Sequence, residues 1–185
     1  MRDTHGRGTI AATAAMSCLA ALAVVAGLLL GDGRDRPRAA AAAAPLDERT
    51  VTFDGVDGIT FGTAKADLVA RHGLSPQQGC NQPFADVAGA GPVFRDGKLV
   101  LLWAHAPLHT PEGIAEGSAV GAVRTAYANE VELSPPAGSH TYPGILVENG
   151  DRAFLFLHDG QTVKKEVAGY AVDVRRLFET GFGAC

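Results

Sequence analysis

The stretch Gly58–Gly73 reads GITFGTAKADLVARHG, and it returns 55 residues later as GIAEGSAVGAVRTAYA, Gly113–Ala128. The shared positions are Gly58/Gly113, Ile59/Ile114, Gly62/Gly117, Thr63/Ser118 and Ala64/Ala119, followed by the aliphatic pair Leu68/Val123. Glycine tolerates backbone angles that a side chain forbids. A hydroxyl at Thr63 or Ser118 is placed to accept a hydrogen bond from an orphan amide of the helix that follows. Beyond these caps, Leu68, Val69 and His72, then Val120, Val123 and Tyr127, fall at helical separations. The pattern predicts a glycine turn that launches a helix of about three turns, used twice.

The strands are announced by turn residues. Val93-Phe94 and Leu99–Trp103 flank Arg95-Asp96-Gly97-Lys98, and Asp-Gly between apolar runs signals a β-hairpin. Ile145–Glu148, Ala153–His158 and Thr162–Val167 are separated by Asn149-Gly150 and Asp159-Gly160, which predicts a three-stranded meander. Alternation is loose across Val163–Val167, the mark of an edge strand. Val174, Leu177 and Phe178 suit a short closing helix. Each half then reads as glycine turn, helix, loop and antiparallel strands, an α+β architecture with helices on one side of a sheet. The first repeat spans about 51–106 and the second about 107–185. Val51-Thr52-Phe53 opens the folded part, and the two Asp-Gly pairs of Asp54–Gly58 form turns.

Ahead of this domain, Thr9 to Gly31 carries no charge and follows Arg2 and Arg7. Residues 1–31 therefore form a signal peptide or a transmembrane anchor, and the run is long enough to span a bilayer. Small residues suited to signal peptidase occur at Val24-Val25-Ala26 and in Ala39–Ala44, neither well placed, which favours the anchor. Residues 32–48, with GDGRDRPR, six alanines and PLDE, make a low-complexity linker, and 49–185 the exported domain. That domain holds two cysteines, Cys80 and Cys185, and an even number behind an export signal predicts a disulfide. Closing so long a loop contributes about 4 to 5 kcal/mol in the chain-entropy account. Five Arg and three Asp lie in residues 1–44, leaving 11 basic against 17 acidic residues, a formal charge of −6. Nucleic acid is a poor partner for such a surface. Lys164-Lys165 and Arg175-Arg176 read as solvated faces.

The succession G-I-x-x-G-[TS]-x-x-x-x-[LV], a cysteine-bearing loop and a hairpin-rich sheet resembles the tandem repeats of the β-lactamase inhibitory protein family. It is also similar to the helix-then-sheet modules of small outer-membrane assembly lipoproteins and to exported proteins of GC-rich bacteria built from such repeats. The resemblance covers about 30 residues closely and the rest only as an order of elements. It implies an exported binding role. In the inhibitor family a Met commonly stands at or near the place of Thr63 or Ser118, each repeat closes its own disulfide, and the inhibitory face is aromatic. This chain departs on all three, so no inhibitory residue carries over.

Catalytic chemistry finds little support in the spacing. His105 and His109 stand four apart around Pro107, and an extended chain sets them about 13 Å from one another, too far to share zinc. There is no Gly-x-Ser-x-Gly elbow. A disulfide at Cys80 would remove that thiol as a nucleophile. Glu112/Glu116 and Glu130/Glu132 lack a sugar-stacking aromatic nearby. The Gly-x-x-Gly turns lack a phosphate-binding lysine, and Glu116 repels an anion. An EF-hand pattern is missing around Asp54–Gly58. No cofactor or metal is expected. Trp103 ends a strand beside His105, and with His140 and Tyr142 forms the candidate binding surface, core filling being the competing role for the tryptophan. The reading is a non-enzymatic binding module of the bacterial cell envelope for a protein or envelope ligand, attached to the membrane if the N-terminal segment stays uncleaved. A secreted hydrolase assembled from distant residues and a structural envelope protein are the alternatives.

Overall fold

Asp57-Gly58 and Asp96-Gly97 both adopt left-handed backbone angles, φ 45° and 74° in the first pair and 51° and 71° in the second. Two consecutive residues of this hand make the tight turn whose twist matches paired strands. The first turn joins β1 (Gly55–Val56) to β2 (Ile59–Thr60), and the second joins β3 (Ala90–Arg95) to β4 (Lys98–Ala104). These elements belong to a computed structural model that describes residues 46–76, 82–139 and 142–181. The apolar N-terminal run, most of the linker, Cys80, His140 and Cys185 lie outside the described residues, and with them the expected disulfide. Among the described residues no helix is long and apolar enough to cross a membrane.

The order continues with α1 (Lys65–His72) ahead of the first hairpin, then α2 (Val120–Ala126), β5 (Val131–Leu133), β6 (Gly144–Asn149), β7 (Arg152–His158), β8 (Val163–Tyr170) and α3 (Ala171–Thr180). Six strands form one antiparallel sheet in the order β3-β4-β8-β7-β6-β5, and β1 and β2 pair separately. The fold is α+β. The predicted hairpin and meander are present, the meander extended by the short strand β5.

The two glycine turns share one backbone conformation. Gly58 and Gly113 have φ of 74° and 77°, Gly62 and Gly117 of 88° and 89°. Ala64 and Ala119 then sit at φ −62°, ψ 137° and φ −64°, ψ 138°. Each turn docks on the start of a strand in the same way. Gly62 N donates to Leu99 O and Leu99 N to Thr63 O, while Gly117 N donates to Val163 O and Val163 N to Ser118 O. Next to each docking point the hairpin register slips by one residue, leaving Val100 and Lys164 as the extra residues of two bulges.

This geometry corrects several expectations. Thr63 and Ser118 are not the helix caps. Ala64 and Ala119 hold the N-cap positions, and neither helix has a side-chain cap bond. One residue too early, the hydroxyls turn back to the glycine turn: Thr63 Oγ1 lies 2.9 Å from Thr60 Oγ1, and Ser118 Oγ accepts from Ala115 N at 3.0 Å. The helices run eight and seven residues, about two turns rather than three. β8 is no edge: it lies between β4 and β7. Its broken alternation comes from the bulge at Lys164, which turns two successive lysines outward.

Helices occupy both faces of the sheet. One face carries Leu99, Leu102, Ile145, Phe154, Phe156 and Ala168, packed with Leu68 of α1, Val120 and Val123 of α2, and Tyr127. The other carries Leu101, Leu146, Leu155, Leu157 and Val167, packed with Val174 and Phe178 of α3. Side chains alternate across a strand, so a sheet apolar on both faces needs two covers. The single-sided arrangement is therefore replaced by a three-layer one.

Candidate binding cleft

α3 follows β8 directly and lies back over β7 and β8. Beyond its end the described residues form a cleft of about 280 Å³ on the same face, lined by Trp103, Tyr142, Leu155, Leu157, Lys165, Leu177, Phe178 and Gly181. The strands set the floor. Trp103 on β4 stands opposite Val167 on β8, and Lys165, two residues back along β8, stands opposite Leu157 on β7. Phe178 closes one wall because Gly144 has no side chain: a Cβ there would lie 2.9 Å from Leu155 Cδ1 and 3.1 Å from Phe178 Cε2. Tyr142, 42% exposed, supplies the remaining aromatic group from the segment before β6.

Trp103 is half-buried in the α3-side core, so it fills part of that core and also lines the cleft. Lys165 extends over it, its Nζ 5.6 Å from the ring centre, an arrangement in which the π-face attracts the ammonium. The sequence assigned Lys165 to a solvated face. It is exposed, but the bulge at Lys164 and the alternation of β8 aim it across the indole.

Of the four residues expected to form a binding surface, the structure brings Trp103 and Tyr142 together. His105 does not line the cleft; its Nδ1 lies 2.9 Å from Glu116 Oε1. His109 takes different partners, with Nδ1 3.0 Å from Thr110 O and Nε2 3.5 Å from Asp47 Oδ1. His72 pairs with Asp86 at 3.0 Å, and His158 Nδ1 accepts from Gly160 N at 3.1 Å. Among the described residues no group of three His, Cys, Asp or Glu is arranged to hold a metal ion.

A polar group missed in the sequence lies on the opposite face. Glu166 on β8 is 0% exposed and flanked in register by Ala104 and Phe156, and among the described residues neither of its carboxyl oxygens has a hydrogen-bond partner. Burial, with Glu116 adding repulsion, pushes its pKa up to about 9, so the acid is neutral at pH 7. Tyr127 donates a hydrogen bond to Glu112, and burial together with that carboxylate raises its phenol above the ordinary value. At the start of α3, buried Asp173 pairs with Arg95, Nη2 to Oδ2 at 2.9 Å. Burial raises the Asp173 carboxyl and the guanidinium partly offsets this.

No family model, curated protein or solved structure matches the chain.

Proposed function

We propose that the chain is an exported, non-enzymatic binding module of the bacterial cell envelope, and that the cleft beyond α3 is where it takes hold of a protein partner. The observation that carries this is the pairing of Trp103 and Tyr142 across an apolar floor, since partly exposed aromatics over a packed base are the usual anchors of protein interfaces. Size favours a partner side chain over a free small molecule. At about 280 Å³ the cleft falls just below the range of about 300 to 1,000 Å³ typical of small-ligand pockets.

The domain is in this reading two diverged copies of one unit, glycine turn, helix and bulged hairpin. The copies meet at β4 and β8. Trp103 comes four residues after Leu99 and Val167 four after Val163, and the two face each other in register, which is what a local twofold axis between them requires. The arrangement agrees with the resemblance to the tandem repeats of the β-lactamase inhibitory protein family. Residues 1–31 carry the domain out of the cytoplasm, and Cys80 pairs with Cys185. Thiol titration of the denatured, unreduced chain then finds one reactive cysteine, Cys18, of three.

The binding role is tested by crosslinking in the producing cell. A stoichiometric envelope partner is expected for the native chain and lost in Trp103→Ala and Tyr142→Ala, each checked for an unchanged melting transition. Retention of the partner by both variants overturns the assignment of the cleft. Turnover of an ester, peptide or glycoside that one histidine or carboxylate substitution abolishes overturns the non-enzymatic reading.

A further inference from the structure

Charge around the cleft is arranged in a way that apolar docking alone does not account for. The exported domain is acidic, and most cations near this end of the sheet are committed to carboxylates. Lys164 Nζ lies 2.7 Å from Asp159 Oδ2, and Arg124 Nη2 lies 2.6 Å from Oε1 of Glu132, which stands opposite Ile145 on β6. Lys165 differs. Among the described residues it has no carboxylate within ion-pair distance, its contact is the face of Trp103, and it is the sole charged residue lining the cleft.

An ammonium held over an indole keeps part of its hydration shell, so it offers an anion a partner at the rim of an apolar pocket. The distance sets how that anion must be carried. Nζ lies 5.6 Å from the ring centre, while consecutive residues of a polypeptide are about 3.8 Å apart. Two neighbouring side chains on a turned segment therefore reach both groups at once, whereas on an extended strand neighbours point to opposite faces.

Resting on the reading of the cleft as a protein-docking surface, we infer that it receives a partner segment in which an acidic residue stands beside a large apolar one. The apolar side chain fills the space between Trp103, Tyr142 and Phe178, and the carboxylate meets Lys165 Nζ. Area supplies most of the affinity and the ion pair supplies selectivity, because a partly exposed pair adds only about 1 kcal/mol, roughly fivefold in affinity.

Trp103 is the only tryptophan, so its emission reports the cleft. The full-length chain is titrated with four capped, amidated ten-residue Gly/Ser peptides carrying a central Glu-Phe, Gln-Phe, Glu-Ala or Gln-Ala pair. Saturable change with Glu-Phe, about fivefold weaker binding of Gln-Phe and none with the alanine peptides is the expected result. Lys165→Gln, at an exposed position, should bind Glu-Phe and Gln-Phe alike. Equal binding of Glu-Phe and Gln-Phe by the native chain overturns the inference and leaves the docking surface standing. A response to vesicles of phosphatidylglycerol with none to any peptide overturns both, as does self-association that buries Trp103.

Discussion

Glu166 and Leu102 hold the same place in two hairpins built alike, each three residues beyond the docking point of a glycine turn, at Val163 and Leu99. Both face the core shared by α1 and α2, and both are 0% exposed. One is a leucine among leucines; the other is a carboxyl with neither oxygen bonded.

That difference predicts a pH-dependent stability. Folding raises the pKa of Glu166 from 4.5 to about 9, so the folded chain keeps a proton that the unfolded chain releases. Its contribution is complete below about pH 4.5, falls as pH rises towards 9 and then levels. Glu166→Leu should flatten this part of the profile and gain about 2 kcal/mol at pH 8, because no buried polar group is left unmatched. Chemical denaturation between pH 5 and 9 measures both. A variant no more stable than the native chain at pH 8 would show that Glu166 has a partner in solution.

Arg95 and Asp173 should respond unequally to substitution. The Asp173 side chain is 1% exposed and that of Arg95 37%, so Arg95→Ala strands a buried carboxyl whereas Asp173→Asn leaves a guanidinium that water can reach. Arg95→Ala is expected to cost about 3 kcal/mol at neutral pH, and Asp173→Asn about 1. Without the guanidinium the Asp173 pKa rises further. Stability of Arg95→Ala then falls as pH rises through the new folded value, and it recovers in acid. Equal costs at pH 7 would refute the asymmetry.

Two glycines with one conformation separate backbone strain from crowding. Gly62 and Gly117 have φ of 88° and 89°, but a Cβ at Gly62 would lie 2.7 Å from Tyr170 Oη while one at Gly117 meets nothing within 4 Å. Gly117→Ala should cost about 1 kcal/mol, the strain alone. Gly62→Ala should cost at least twice that and shift Tyr170, visible in the near-ultraviolet circular dichroism. Matching melting temperatures would argue against the crowding.

Gly144 couples the sheet to the cleft. Gly144→Ala places a methyl group against Leu155 and Phe178, and displacing the phenyl ring is expected to cost about 1 to 3 kcal/mol. Because Phe178 is a wall, the emission of Trp103 should change along with the stability. Loss of stability with unaltered emission would place the strain elsewhere.

Local sequence was enough for the turns and for the elements they join. Asp96-Gly97, Asn149-Gly150 and Gly62/Gly117 act through backbone preferences within three or four residues, so hairpins, helix starts and the α+β class could be read directly. Trp103 could be singled out as the one tryptophan, at a strand end, and Tyr142 as an aromatic in a Pro- and Gly-rich loop. Tertiary structure decided what depends on distant pairing. The register of Trp103 against Val167 made β8 central, put helices on both faces, buried Glu166 and swung Lys165 over the indole. Nothing within a few residues of Lys165 or Glu166 distinguishes a solvated charge from a placed one, because burial and neighbours across a sheet are set by strands far apart in the chain. The caps failed for the opposite reason: a one-residue offset, invisible in composition, separates a hydroxyl that caps a helix from one that braces the turn before it.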